Sequence, residues 1–233
     1  MAPKKHKRHL TQAQQKEKSK RTNLIAIGLI ATVVIVFGIV AASGVFGNRA
    51  NNSATSTPAP TLIPASADPY ANATEVLLHT SMGDITLQLR NDMPITTGNF
   101  INLVQEGKYD NTIFHRVIEG FMIQGGDPTG TGYGDSSIPT IQDEFTTTNH
   151  NYNGTIAMAN TGAANSGSSQ FFINVDDNNN RYSSFDSSYP AFGKVVSGMD
   201  VVMAISKVPV EDASSENYKP VQDVTLISAK VLP

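Results

Sequence analysis

Alternating apolar and polar residues run through the C-terminal two thirds of the chain and predict β-strands. Residues 75–80 and 84–89 alternate around Ser81-Met82-Gly83, which is typical of a hairpin turn. Other short apolar runs are bounded by turn-forming residues, and the favoured turn dipeptide Asn153-Gly154 precedes one of them. These further predicted strands lie at residues 114–118, 121–124, 155–159, 170–175, 191–196 and 224–231.

Two segments of the same region have the period of an α-helix. Residues 95–107 place Phe100, Leu103 and Val104 on one stripe, and the final glycine of this segment suits a helix end. Residues 199–206 form a shorter amphipathic pattern. Many strands with two helices favour a mainly β fold, in which a closed barrel has helices over its openings.

The central pair of predicted strands, residues 114–127, carries an unusual set of side chains. Alternation places Phe114, Arg116 and Ile118 on one face of the first strand, and Gln124 lies in the second strand. A guanidinium, an amide and a soft apolar wall would suit a small apolar group next to a peptide carbonyl. The alternative is two core strands with one arginine whose stem lies along apolar surface.

The N-terminal residues differ sharply in charge from the rest of the chain. Residues 1–22 carry a net charge of +7, and because the whole chain carries −3, the remainder carries −10. Residues 24–46 contain no charged side chain and match the roughly 20 apolar residues that a bilayer core requires. Because basic residues before such a span mark the cytoplasmic side, we expect a single-pass protein of the cell membrane. Residues 1–23 would be cytoplasmic and the C-terminal domain extracytoplasmic, unless a secretory signal is cleaved near Ala41-Ala42-Ser43.

Composition limits the remaining possibilities. Residues 47–73 are dominated by Ala, Ser, Thr, Asn and Pro and are predicted to be a disordered linker, which leaves residues 74–233 for the folded domain. The chain has no cysteine, which excludes disulfides and a thiol nucleophile. The negative charge of the domain argues against nucleic acid as a partner.

Five sequence blocks occur in a characteristic order. They read FHRVI, GFMIQGGD, MAN, SQFFI and FGKV, at residues 114–118, 120–127, 158–160, 169–173 and 192–195. Together they closely resemble the cyclophilin family of peptidyl-prolyl cis–trans isomerases, and the resemblance covers residues 74–233. It implies an eight-stranded antiparallel closed β-barrel capped by two α-helices, which agrees with the predicted strands. With the predicted span, the chain looks like a membrane-anchored, bacterial-like member.

The resemblance also implies a function. The family accelerates rotation about X-Pro bonds, so we expect proline-containing peptides and unfolded exported proteins as partners and assistance to their folding. No metal and no organic cofactor are implied, and the domain is expected to act as a monomer. Fold alone leaves an alternative open, namely a proline-peptide binding module or scaffold with little turnover.

Individual residues take their roles from the same resemblance. Arg116 matches the catalytic arginine of the family, and Gln124 matches a residue that binds the substrate backbone. Ala159 and Asn160 match a segment that pairs with the peptide through main-chain contacts, whereas His115 matches a neighbour of the arginine without a catalytic role. The walls of the proline pocket correspond to Phe121, Met122 and Phe172.

Two positions depart from the family pattern. Tyr189 stands just before the FGKV block, where the family often has a histidine. The preceding loop often holds an aromatic residue followed by leucine and aspartate in the family. Phe185 is the best match for the leucine, and the aromatic position falls on either Ser184 or Tyr182. We therefore expect Phe185 and Tyr189 to line the pocket and leave the aromatic position open.

The chemistry explains why an arginine would be needed. Rotation about a prolyl bond must overcome about 18–20 kcal/mol, because the C–N bond has partial double-bond character. When the amide twists, the proline nitrogen regains a lone pair. Arg116 could donate a hydrogen bond to that nitrogen only in the twisted state, and such a differential interaction lowers the barrier without a covalent step.

Other patterns that carry chemistry are weaker. His115 has no nucleophile elbow with which to form a hydrolase triad. Residues 176–180 resemble the start of a calcium loop but lack its glycine and glutamate, so a solvated loop is expected. The Gly125-Gly126-Asp127 sequence is not followed by the Lys-Ser/Thr of a phosphate-binding loop.

Overall fold

The computed structural model describes Leu62 and residues 68–211 and 218–233. The predicted basic segment at 1–23, the predicted transmembrane helix at 24–46 and most of the predicted linker lie outside these residues. Within the described part of the chain, no helix is long and apolar enough to cross a bilayer.

Residues 68–73, the end of the predicted linker, pack against the domain. The Asn91 N–H donates to the Pro69 carbonyl at 2.9 Å. The Lys194 ammonium lies 4.0 Å from the centre of the Tyr70 ring, a distance suited to a cation–π contact. These residues of the predicted linker therefore contact the folded domain, and the boundary at residue 73 stays a prediction.

A single antiparallel sheet of nine strands dominates the domain, so the prediction of a mainly β fold is confirmed. The strands are β1 Glu75–Thr80, β2 Gly83–Leu89, β3 Thr112–Ile113, β4 Arg116–Ile118, β5 Met122–Gly125, β6 Thr155–Met158, β7 Phe171–Asn174, β8 Ala191–Ser197 and β9 Thr225–Val231. Their order across the sheet is β3-β9-β1-β2-β8-β6-β7-β5-β4. The first hairpin forms at the predicted turn, with Thr80 opposite Gly83.

The prediction of eight strands in a closed barrel is wrong, because an additional strand, β3, lies just before the predicted strand at 114–118, of which only β4 forms. β3 pairs with β9 at one edge of the sheet, whereas β4 pairs with β5 at the opposite edge. No ladder joins β3 to β4 in the described chain. Only Phe114 and His115 separate these strands, so the two edges lie no more than about 11 Å apart along the chain. The sheet is thus curled until its edges nearly meet, without closing through hydrogen bonds.

Four helices accompany the sheet in the described residues. They are α1 Pro94–Gln105, α2 Asn178–Arg181, α3 Phe185–Ser188 and α4 Met199–Ile205. The longer two, α1 and α4, confirm the predicted helices, whereas the single-turn helices α2 and α3 were not predicted. The Glu144 carboxylate accepts hydrogen bonds from the N–H groups of Ile95 and Thr96, at 3.2 and 2.8 Å, and so caps the first turn of α1.

The inner face of the sheet packs against α1 in a cluster that we call the interior cluster. Phe100 of α1 contacts the rings of Phe171 and Phe192, with centroids 5.5 and 5.2 Å away. Phe114 is also buried in this cluster, so the prediction that it shares a face with Arg116 is wrong. The break between β3 and β4 resets the alternation of side chains. The strand residues of this cluster include Val76, Leu78, Ile85, Leu87, Val117, Ile123, Ile156, Phe171, Ile173 and Phe192.

Candidate active site

A second group of apolar residues covers the outer face of the same strands, and we call it the outer cluster. Because side chains alternate along a strand, Phe172 lies on this face while its neighbours Phe171 and Ile173 point inward. The buried members of the outer cluster are Ile118, Phe121, Met122, Ala157, Phe172, Phe185 and Ala191. The partly buried residues Ala159, Tyr182, Tyr189 and Tyr218 pack against them.

Arg116 lies beside this cluster because of the strand register. Arg116 on β4 pairs with Gln124 on β5, and Gln124 pairs with Phe172 on β7. These three residues therefore form one row across neighbouring strands. Arg116 Nη1 donates to Gln124 Oε1 at 3.4 Å, a long hydrogen bond that links the guanidinium to the amide. The structure thus brings together a cation, an amide and an aromatic ring that the sequence had placed in separate blocks.

A chain of amides continues from Gln124 to the glycine-rich loop. Gln124 Nε2 donates to Gln170 Oε1 at 2.9 Å, and Gln170 Nε2 donates to the Gly132 carbonyl at 3.0 Å. The loop is closed by Asp127, whose carboxylate accepts from the N–H groups of Gly132 and Thr129 at 2.7 and 2.8 Å. Burial raises the pKa of Asp127, but these hydrogen bonds outweigh it and hold the pKa below its ordinary value. The polar side of the site therefore has a fixed orientation.

The turn between β4 and β5 positions two wall residues. The Phe121 N–H donates to the Ile118 carbonyl at 3.1 Å, across Glu119 and Gly120. Gly120 has a φ of 68°, which a residue with a side chain rarely adopts. The tight turn allows Phe121 and Met122 to cover the outer face immediately after β4.

Phe185 on α3 lies at the centre of the aromatic side of the cluster. Its ring centroid is 4.7 Å from that of Tyr189 and 5.8 Å from those of Phe121 and Phe172. The Tyr189 ring also meets Phe172 edge-on at 5.3 Å. The structure therefore brings both predicted loop residues, Phe185 and Tyr189, to the pocket walls.

Tyr182 and Ser184, the two candidates for the aromatic position, differ in their contacts. The Tyr182 ring lies 5.7 Å from Phe121 and stacks on Phe185 at 5.9 Å. Ser184 is exposed, and its carbonyl accepts hydrogen bonds from the serine hydroxyls that follow in α3. Tyr182 therefore packs at the edge of the outer cluster, and its match to the aromatic position of the family stays a prediction. Sequence reasoning missed Tyr218, which also packs on the cluster, because it lies in a loop without a recognisable motif.

The two tyrosines nearest the arginine remain neutral phenols. Burial raises the pKa of Tyr189, and the Arg116 charge only partly opposes this effect. Burial also raises the pKa of Tyr182, again against Arg116 and Arg181. Neither phenol therefore supplies a negative charge that would compete with a substrate for Arg116.

Ala159 and Asn160 follow β6 at another border of the cluster. The Ala159 N–H donates to the Gln170 carbonyl at 3.0 Å, so this donor is already bound. Asn160 Nδ2 donates to the Ser188 carbonyl at 2.7 Å, which links the segment to α3. The main-chain N–H and C=O of Asn160 have no hydrogen-bond partner in the described chain. These two groups are suitably free to bind an extended peptide.

His115 is buried beside Arg116, and burial lowers its pKa, so it is neutral near pH 7. No cluster of three or more metal-ligating side chains occurs among the described residues.

A separate cavity of about 260 Å³ contains none of the predicted site residues. Its lining residues are Pro69, Tyr70, Arg90, Thr148, His150, Tyr152, Thr155 and Ala191. Arg90 makes a two-point contact with Asp92 there, at 2.9 and 2.8 Å, and also donates to the Thr146 hydroxyl at 3.0 Å. This arrangement ties the segment before α1 to the loop between β5 and β6. The candidate active site is therefore the partly exposed outer cluster with Arg116.

Comparison with known proteins assigns this fold and site to a family. A family model for cyclophilin type peptidyl-prolyl cis-trans isomerases matches residues 75–231. A Streptomyces antibioticus peptidyl-prolyl cis-trans isomerase is 44% identical over 162 residues, which cover 67% of this chain and 98% of the relative. A Dictyostelium discoideum peptidyl-prolyl cis-trans isomerase-like protein is 45% identical over 141 residues, or 59% of this chain and 84% of the relative. The chain belongs to the cyclophilin type peptidyl-prolyl cis-trans isomerase family.

Solved structures give the same assignment. A Cryptosporidium parvum cyclophilin type isomerase, crystallised in the presence of the dipeptide Ala-Pro, matches with a TM-score of 0.61 and 30% identity. The match covers 68% of this chain and 99% of that chain. The protein is thus an enzyme that catalyses cis–trans isomerisation of prolyl peptide bonds.

Proposed function

We propose that Arg116 is the catalytic residue and that the outer cluster holds the substrate proline. The observation that carries this proposal is the row of Arg116, Gln124 and Phe172 across three neighbouring strands. It puts a permanent cation at the border of an aromatic surface. A guanidinium there can donate to the proline nitrogen when the amide is twisted, and it gains little from either planar ground state.

The remaining residues divide into a ring-binding side and a backbone-binding side. Phe121, Met122 and Phe172 hold the proline ring by apolar contact, with Phe185 and Tyr189 behind them. Gln124 and the main chain of Asn160 bind the peptide on either side of the proline. Fixing the ring while the flanking carbonyl rotates lowers the barrier because the reacting atoms need no further ordering.

The test replaces Arg116 in the full chain. The rate of cis-to-trans conversion of an X-Pro tetrapeptide is measured for Arg116→Ala, Arg116→Lys and, as a charge-matched control, the exposed Lys207→Ala. We expect kcat/KM to fall about 100-fold in Arg116→Ala, the scale of one transition-state donor. Arg116→Lys should recover only part of the loss, because an ammonium lacks the planar fork. Equal rates for Arg116→Ala and Lys207→Ala would refute the assignment.

We propose further that the enzyme is a monomer anchored in the cell membrane by residues 24–46, and that it assists the folding of exported proteins. The uncharged run and the basic residues before it support this location. Replacing Ile35 and Val36 by arginine should release the chain from membranes, since each charge at the centre of a span costs about 2.5–3.5 kcal/mol on insertion scales. Alkaline extraction of the membrane fraction tests this. Release of the unsubstituted chain would contradict the anchor, and a dimer mass by light scattering would contradict the monomer.

A further inference from the structure

Next to the aromatic rings of the outer cluster lies a set of polar residues that no step of the mechanism uses. We call it the asparagine network. It joins β7 and the loop before β6 to the segment that contains α2 and α3. Its members are Asn149, His150, Asn151, Asn174, Asn178 and Asp186.

The buried half of the network starts at the backbone of a wall residue. Asn178 Nδ2 donates to the Phe121 carbonyl at 2.9 Å and to Asn174 Oδ1 at 2.6 Å. Asn174 Nδ2 then donates to Asn151 Oδ1 at 3.1 Å. All three asparagines are fully buried, so each bond is needed to satisfy an amide that water cannot reach. Phe121 is thereby connected to the loop before β6.

The other half of the network converges on Asp186. Its carboxylate accepts from the Asn151 N–H at 2.7 Å and from Asn151 Nδ2 at 3.2 Å. His150 Nδ1 lies 2.6 Å from the second carboxylate oxygen and must be the donor, because an ionised carboxylate only accepts. Asn151 Nδ2 also donates to the Tyr189 carbonyl at 2.9 Å.

The network therefore holds both sides of the pocket, Phe121 at one end and Tyr189 at the other. Asp186 itself follows Phe185, the ring at the centre of the wall. The segment that carries these two loop rings has only the single-turn helices α2 and α3 and no strand ladder. Asn149 and Asn151, which lie outside the segment, hold it through hydrogen bonds to the Asp186 carboxylate and the Tyr189 carbonyl.

We propose that Asp186 is a positioning residue for the isomerase reaction, which sets the placement of Phe185 and Tyr189 against the bound proline. It acts through these rings and does not touch the substrate. The proposal rests on the assignment of the outer cluster as the proline pocket. An enzyme loses activity when the hydrogen bonds that position its substrate-binding side chains are removed, because small displacements of these groups weaken productive binding.

The experiment compares Asp186→Asn with Asp176→Asn in the full chain. The control is matched in chemistry and lies in the same segment, but the Asp176 side chain is largely exposed, accepts from the neighbouring Asp177 N–H at 2.8 Å and reaches Arg181 at 3.9 Å. The amide in Asp186→Asn cannot accept on its nitrogen, so one of the bonds from His150 or Asn151 is lost. We expect kcat/KM for an X-Pro tetrapeptide to fall about tenfold, mainly through a higher KM, because misplaced binding groups weaken productive binding. Asp176→Asn should be unchanged.

A spectroscopic measurement separates positioning from loss of stability. The Tyr189 ring lies 4.7 and 5.3 Å from the rings of Phe185 and Phe172, so its proton resonances carry ring-current shifts. These shifts should shrink in Asp186→Asn at a temperature where the variant is fully folded. Unaltered shifts together with unaltered kcat/KM would overturn the proposal and leave Asp186 a purely structural residue.

Variants at His150 keep the test informative if Asp186→Asn fails to fold. His150 is partly exposed, so His150→Ala should fold. We expect it to raise KM, and His150→Asn to restore KM, because the asparagine amide can replace the Nδ1 donor. Failure of His150→Asn to restore KM would contradict the proposal. If Arg116→Ala keeps full activity, the pocket assignment itself is wrong. If Arg116→Ala is impaired while Asp186→Asn is normal, only this inference fails.

Discussion

The interior cluster and the outer cluster lie on opposite faces of the same strands and differ in how their rings are enclosed. Phe171 and Phe172 are adjacent in β7, and one ring is enclosed within the curled sheet while the other lies under the rings of α3. The interior ring meets Phe100 and Tyr109 edge-on, with centroids 5.5 Å away in both cases. The outer ring meets Phe185 and Tyr189, which are anchored only through loop contacts.

The difference shows how one sheet provides stability on one face and binding on the other. The interior cluster is complete within the domain, so its packing contributes directly to the free energy of unfolding. The outer cluster includes partly buried tyrosines and borders Arg116, and a bound proline would complete its apolar contacts. Substitutions on the two faces should therefore separate stability from activity.

The largest effect is expected from Phe171→Ala. Removing a fully buried ring that packs against Phe100, Tyr109 and Phe114 leaves a cavity that rigid neighbours cannot fill. We expect the free energy of unfolding to fall by about 3–5 kcal/mol. Urea unfolding of the domain measures it. At urea concentrations below the unfolding transition, kcat/KM of Phe171→Ala should stay close to that of the unsubstituted enzyme. If the free energy of unfolding falls by less than about 1 kcal/mol, the two faces of the sheet are not distinct in packing.

The neighbouring substitution Phe172→Leu should have the opposite balance. Leucine is apolar and only somewhat smaller than phenylalanine, so Phe172→Leu should cost less than about 1.5 kcal/mol of stability. The flat ring that faces the proline is lost, however, so kcat/KM for an X-Pro tetrapeptide should fall about tenfold, comparable to the worth of one aromatic contact. The matched control is Phe171→Leu, which should affect unfolding more than turnover. Unchanged turnover in Phe172→Leu would contradict the proposed pocket.

The smallest effect concerns the dependence of stability on pH. His115 and His150 should change the free energy of unfolding with opposite signs as pH rises. Burial lowers the pKa of His115, so the unfolded chain binds a proton more readily and stability falls as pH drops below about 6.5. The hydrogen bond that His150 donates to Asp186, with the nearby charges of Asp186 and Asp177, raises the pKa of His150. Its stabilisation is present below about pH 6.5 and is lost as pH rises through the raised value.

Urea unfolding between about pH 5 and 8 with His115→Gln and His150→Asn tests this pair of signs. His115→Gln should flatten the acid limb of the stability profile, and His150→Asn should flatten the limb above about pH 6.5. The His150 contribution should be the smaller one, since its side chain is partly exposed and water screens the ion pair. Identical profiles for both variants would contradict the opposite shifts.

Much of the fold followed from alternation and turn residues, because both act locally. The hairpin of β1 and β2, the helix α1 and the strand β7 lie within two residues of their predicted bounds. The additional strand β3, just before the predicted strand at 114–118, could not be predicted. It depends on β9, more than 100 residues away, which pairs with β3 and leaves β4 to pair with β5.

The candidate site could be predicted only as far as motifs reach. Arg116 and Gln124 lie in recognisable blocks, and the register then places them in one row. Tyr182 and Asp186 lie in a segment without a period, where the contacts that fix each residue come from elsewhere. The role of Asp186 in particular depends on Asn151, which is remote in sequence and lies in a loop of similar polarity.

The pairing of β9 with both β1 and β3 has a consequence for how the enzyme itself is made. Val76 pairs with Val231, and Thr112 pairs with Leu226. Strands β1 and β3 can therefore complete their pairing only when β9 is present. Until β9 has been synthesised, β1 and β3 lack this partner, and their edges stay open to association with other chains. Contacts this distant in sequence also slow folding. The sheet of this isomerase is therefore completed late, when β9 pairs with both strands.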